Sequence, residues 1–159
     1  MQKSVICPIC GKSYKIYANP SPTADVIIYN EGYGIVLIER LNPPYGFALP
    51  GGFIDEGEQA ELAAIREMKE ETGLDVELKG LLGVYSNPKR DPRQHTLTSV
   101  FVGKALDPSI LKAGDDAKSA KFYEINNLPK NLAFDHDKIL QDFLDFLNGS
   151  ITIAKVQPH

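Results

Sequence analysis

The chain has 159 residues, enough for one domain with a substantial core. Its 43% hydrophobic and 24% charged content is that of an ordinary globular protein, and a net charge of −4 excludes the basic footprint of a nucleic-acid binder. No apolar run reaches the length of a membrane span and MQKSVICPIC lacks a signal-peptide core, so the expected location is the cytoplasm.

Residues 1–19 read as an N-terminal arm, ahead of a domain over 20–159. The arm carries both cysteines, Cys7 and Cys10, in a Cys-Pro-Ile-Cys-Gly spacing typical of half a zinc ribbon. A tetrahedral site needs four ligands, and no second cysteine pair follows; His95, His136 and His159 are scattered. An intrachain zinc site, a zinc shared between two chains, a relic and a reversible dithiol all stay open. Past Pro20 and Pro22, Ala24–Tyr29 and Gly34–Glu39 are β-branched and apolar around Asn30-Glu31-Gly32, a hairpin signal. Arg40 closes the second strand, and a loop over Leu41–Leu49 follows.

The stretch Gly52–Leu74 is GFIDEGEQAELAAIREMKEETGL. Gly51-Gly52 marks a tight, exposed backbone segment. Glu58–Thr72 favours helix, with Gly73 as its left-handed stop. Glu67 and Glu71 are i, i+4 neighbours and Glu70 lies one ridge over, so three carboxylates crowd the negative end of the helix dipole. A solvated acidic face is the plain reading. The alternative is a hard divalent cation, Mg²⁺ or Mn²⁺, offsetting the repulsion. Ala60, Ala63 and Ala64 share a side with Glu67 and Glu71, while Leu62, Ile65 and Met68 take other faces, so packing on more than one side is expected.

Strands are expected at Val76–Ser86 and Leu97–Leu106. Between them, SNPKRDPRQHT packs Lys89, Arg90, Arg93 and His95 beside Asp91, stiffened by two prolines. An ordinary charged hairpin loop explains this; so does a grip on a polyanion held beside an acidic metal site. A polar loop over Leu111–Ala120 contains Asp115 and Asp116, followed by a short strand at Lys121–Ile125. Phe134–Asn148 has Ile139, Leu140, Phe143, Phe146 and Leu147 at helical spacing, with Asp135 as N-cap, His136 as a helix-start residue and Gly149 as the stop. The tail Ile151–Ile153 offers an edge strand or a dimer contact.

The grid Gly52, Glu58, Arg66-Glu67, Met68, Glu70-Glu71, Gly73, Leu74 matches G-x5-E-x7-R-E-U-x-E-E-x-G-U, with U apolar, at every specified position. In this the chain resembles the Nudix (MutT-like) hydrolases. The resemblance implies an α/β/α sandwich, a mixed β-sheet between helices. It implies hydrolysis of a phosphoanhydride, with Glu67, Glu70, Glu71 and the Gly51 carbonyl holding Mg²⁺ or Mn²⁺, and a water acidified by the ion attacking phosphorus. Arg66 and Glu58 would pair to orient the ligands. The base is Glu67 or a loop carboxylate such as Asp116. In relatives the position of Arg40 often faces the substrate phosphates.

Pro88, fifteen residues past Gly73, and the run Leu132-Ala133-Phe134-Asp135-His136 resemble the ADP-ribose pyrophosphatase branch, which implies AMP and ribose 5-phosphate as products. NADH, dinucleoside polyphosphates and oxidised nucleoside triphosphates are the rival substrates; the SQPWPFPxS marker of NADH pyrophosphatases has no match. A non-catalytic nucleotide-sugar sensor is the rival class, and a homodimer is compatible with either.

Overall fold

The computed structural model describes residues 2–115 and 117–155, so the candidate Asp116 and also His159 lie outside the described residues. In chain order these residues form β1 (Gln2–Ile6), β2 (Ser13–Tyr17), β3 (Ser21–Asn30), β4 (Gly34–Arg40), β5 (Phe47–Ala48), β6 (Gly51–Phe53), helix α1 (Ala60–Thr72), β7 (Val76–Tyr85), β8 (Thr96–Ala105), β9 (Ala117–Tyr123) and helix α2 (His136–Leu147). Strands β1 and β2 make a separate two-stranded sheet, whereas β3 to β9 make one sheet with the path β5-β4-β3-β8-β7, β6 joining β3 and β9 joining β4. Strand β3 runs parallel to β8, from Ser21 opposite Thr96 to Ile28 opposite Gly103. The remaining pairings are antiparallel, so the sheet is mixed, as expected.

Strand β3 is buried on both faces, which explains its run of apolar residues. Side chains alternate across a strand. Ala24, Val26 and Ile28 therefore pack with Phe101 against Ala63, Ala64 and Met68 of α1. Ile27 packs with Val100 and Val102 against Ile139, Leu140 and Phe143 of α2. Each face of the sheet thus has its own helix and its own apolar layer, and the α/β/α sandwich follows.

Several local expectations are corrected. Helix α1 begins at Ala60, because Glu58 turns back and accepts the Asp55 backbone N–H. Leu62 and Leu147 face solvent instead of the core. Gly51-Gly52 is a strand paired with β3, Gly51 opposite Asp25 and Gly52 opposite Ala24. Strand β9 starts at Ala117, so residues expected to be loop continue the ladder along β4. Asp135 precedes α2 but makes no capping bond. The tail adds a bridge, with Leu81 and Ala154 exchanging backbone hydrogen bonds of 2.8 and 3.1 Å.

Candidate active site

Helix α1 delivers its acids to the edge of β6. The Gly51 N–H donates to Glu71 Oε2 at 2.8 Å. A Cβ on Gly52 would collide with the Glu67 carboxylate, so glycine there lets that side chain lie against the strand. The end of the helix is fixed from outside. Gly73 takes the left-handed conformation at φ 67°, and the 111–115 loop donates Lys112 N–H to Thr72 O at 3.0 Å and Gly114 N–H to Glu71 O at 2.8 Å. These bonds satisfy carbonyls that a helix end leaves unpaired.

Arg66 organises the acids. Its Nε and Nη2 donate to the two Glu58 oxygens, both at 2.9 Å, and Nη2 also reaches Phe53 O at 3.1 Å. Its Nη1 donates to Glu67 Oε1 at 2.7 Å and to Glu70 Oε2 at 3.3 Å. The guanidinium holds the Glu58 carboxyl down at about 2, helped by the Asp55 N–H.

The cleft beside these acids has a volume of about 390 Å³. One wall is formed by Asp25, Gly51, Gly52, Arg66, Glu67 and Glu71; the other includes Arg40, Arg90, Asp91, Arg93, Phe134 and His136. Burial pushes Glu71 up to about 8, with the charges of Glu67 and Asp25 adding to the effect and the Gly51 N–H opposing it. Burial likewise raises Glu67 against the pull of Arg66. Asp25 is pushed up to about 6 by burial, although Thr98 Oγ1 donates to it at 2.7 Å. The acidic wall therefore carries carboxyl groups that burial raises, Glu71 most of all.

The opposite wall is built on Phe134, whose backbone sits at φ 60°, a conformation rare for a bulky side chain. Its ring has the guanidinium of Arg40 4.9 Å from its centroid and that of Arg93 at 5.3 Å. Arg40 Nε donates to Pro44 O at 2.8 Å, and Arg93 is forked onto Asp91 through Nε at 3.0 Å and Nη2 at 2.8 Å. Arg90 is buried. Its Nε donates to both Asp135 oxygens at 3.1 Å and its Nη1 to Thr96 Oγ1 at 3.0 Å. The carboxylate expected to cap α2 is thus used by Arg90. His136 is buried and its Nδ1 accepts the Leu49 N–H at 2.9 Å, so burial, together with Arg90 and Arg40, pushes it down to about 3.

The expected site residues divide by place. Arg40, Gly51, Arg66, Glu67, Glu71, Arg90 and Arg93 line one cleft. Glu70 is exposed and reaches the cluster through Arg66. Lys89 lines a neighbouring cavity of about 510 Å³ with Tyr85, Lys138 and Asp142. His95 is exposed, its Nε2 3.3 Å from Ser86 O. Asp25 was not anticipated, because it sits within an apolar strand run. A lone acid in such a run is the signal that would have marked it, since Asp is seldom buried without a purpose.

Among the described residues no three acidic, histidine or cysteine side chains form a ready-made metal cage. The donor set still suits a hard divalent ion. Glu67 and Glu71 are partly desolvated oxygen donors on one helix face, raised by burial, beside a strand whose glycines admit close approach.

The NUDIX domain family matches residues 19–143. The chain is 51% identical over 140 residues to the ADP-ribose pyrophosphatase of Methanocaldococcus jannaschii, covering 87% of this chain and 81% of that one. It superposes on the Nudix hydrolase from Nitrosomonas europaea with a TM-score of 0.75 at 26% identity, covering 95% of this chain and 83% of that one. It also superposes on the Nudix domain of Shewanella oneidensis NrtR, solved with ADP-ribose, with a TM-score of 0.70 at 25% identity, covering 82% and 90%. Family members of this kind generally use divalent metals. The signature helix, the mixed sheet between two helices and these likenesses agree, and the chain belongs to the Nudix hydrolase family.

Proposed function

We propose that this chain hydrolyses ADP-ribose to AMP and ribose 5-phosphate with the help of Mg²⁺ or Mn²⁺. The observation that carries this reading is a single cleft in which an acidic wall on α1 faces an arginine wall stacked on Phe134. The similarity to the M. jannaschii enzyme supports the choice of substrate.

Glu67 and Glu71, with Glu70 swinging in from the surface and the Gly51 carbonyl, would hold the cation. When bound, the cation supplies charge neutralisation at the phosphoryl oxygens and acidifies water. The protein's own groups do the positioning. Arg66 keeps Glu67 in place through a bond backed by Glu58. Arg40 and Arg93 line the cleft, where the guanidinium N–H groups not used by Pro44 and Asp91 would serve phosphate oxygens. Arg90 fastens the 86–96 loop to Asp135 at the start of α2, which sets the position of Arg93. Water adds to one phosphorus, the bridging phosphoanhydride P–O bond breaks, and the two monophosphates separate.

The test is release of AMP with Mg²⁺ from ADP-ribose, NADH, a dinucleoside polyphosphate and an oxidised nucleoside triphosphate. ADP-ribose is expected to be cleaved fastest; equal or slower cleavage ends the substrate assignment. The double variant Glu70→Gln, Glu71→Gln is expected to lose at least about 100-fold in turnover, more than loss of a ligand's supporting partner alone. Turnover within a few-fold of wild type in that variant would remove α1 from the chemistry.

A further inference from the structure

Away from the cleft, β1 and β2 pair from Gln2 opposite Tyr17 to Ile6 opposite Ser13, and the turn between them carries both cysteines as free thiols. The turn has the shape of a metal knuckle. Gly11, at φ 70°, donates its N–H to Cys7 O at 2.9 Å, and the Cys7 N–H reaches Lys12 O at 2.9 Å. The turn thereby brings both thiols to one end of the hairpin, Cys7 partly exposed and Cys10 exposed. Two cysteines at this spacing supply half of a zinc site, which binds them as thiolates.

A structural zinc site is closed by four tetrahedral ligands. This chain contains two cysteines, and among the described residues no third histidine, cysteine or carboxylate joins them. A second copy brings the missing pair. The hairpin also has the surface such a contact requires: Ile9, between the cysteines, is 94% exposed, Tyr17 72% and Ile6 69%. Lys3, Lys12 and Lys15 are its charged residues and it has no acid, so two hairpins alone repel. Four thiolates around Zn²⁺ carry a net charge of about −2, which offsets that repulsion.

We propose that Cys7 and Cys10 of two copies of this chain jointly hold one zinc ion, joining the copies through their β1–β2 hairpins. The full-length protein, purified under reducing conditions, should contain one zinc for two chains and run as a dimer in light scattering. Cobalt substituted for zinc should show intense thiolate-to-metal absorption. Cys7→Ser and Cys10→Ser should each remove the metal and yield monomers, with the melting temperature of the main transition retained. Zinc-free wild type, one zinc per monomeric chain, a dimer that survives Cys7→Ser, or a Cys7–Cys10 disulfide in reduced preparations would each overturn the proposal. None of these readouts depends on which nucleotide is hydrolysed.

Discussion

At the scale of single residues, the site is governed by which charges are compensated. Arg66 gives one guanidinium to Glu58, Glu67 and Glu70, so part of the repulsion that suggested a metal is relieved by the protein itself. Burial raises Glu71 and Asp25 instead: among the described residues Asp25 has only a long 3.9 Å pairing with Arg90, and Glu71 accepts the Gly51 N–H without an ion pair. His136 is the reverse case, a base kept neutral. Its folded value of about 3 lies below the ordinary 6.5, so the unfolded chain takes up the proton first as pH falls. The stability His136 contributes is therefore complete above pH 6.5 and is lost between 6.5 and 3. His136→Asn, which keeps an acceptor for the Leu49 N–H, should be less stable than wild type by about 1–3 kcal/mol at pH 8. That gap should shrink by about 1.4 kcal/mol for each pH unit below 6. Urea unfolding of both proteins at pH 8 and pH 5 measures it, and a gap independent of pH would show that His136 is not held neutral.

At the scale of elements, α1 is as much a product of the loop after the short 3-10 turn Pro108–Ile110 as of its own sequence. Gly114 lies so close to the Glu70 carbonyl that a Cβ would overlap backbone, and its N–H satisfies Glu71 O. Gly114→Ala should destabilise the protein by about 1–3 kcal/mol and raise the Mg²⁺ concentration needed for half-maximal activity, because the backbone of Glu70 and Glu71 must move. Unchanged melting temperature and unchanged Mg²⁺ dependence would show that the loop merely rests there. Helix α1, its glycine stop and the Arg66–Glu58 pair were legible because their residues are local in sequence. The hairpin β3–β4 and the strands β7 and β8 were legible from apolar runs. What could not be read were relations between distant segments. Arg90 lines the cleft as expected, but its bond to Asp135, 45 residues away, could not be read from the loop. Lys89 and His95 share a loop with Arg93, yet its turns point them elsewhere. Asp25 acquires its meaning only when β6 is laid against β3.

For the molecule as a whole, the parallel pairing of β3 with β8 and the antiparallel return of β6 bring Asp25, Gly51 and the end of α1 to one place between two apolar layers. That arrangement sets carboxyl groups where water cannot fully solvate them, and under the proposed function a bound cation would relieve their repulsion. Two consequences separate this view from a purely structural role for the acids. A ligand that binds only the folded state at about 100 times its dissociation constant stabilises by about 2.7 kcal/mol. For a chain of this size Mg²⁺ or Mn²⁺ should accordingly raise the melting temperature by about 5–10 °C at pH 8. In Glu67→Gln, Glu71→Gln that shift should vanish, while the metal-free variant should melt no lower than metal-free wild type, because two partly desolvated carboxyl groups have gone. Scanning calorimetry with and without the cation decides. If the metal-free variant melts well below wild type, the carboxylates hold the fold together, and their burial says nothing about a cation.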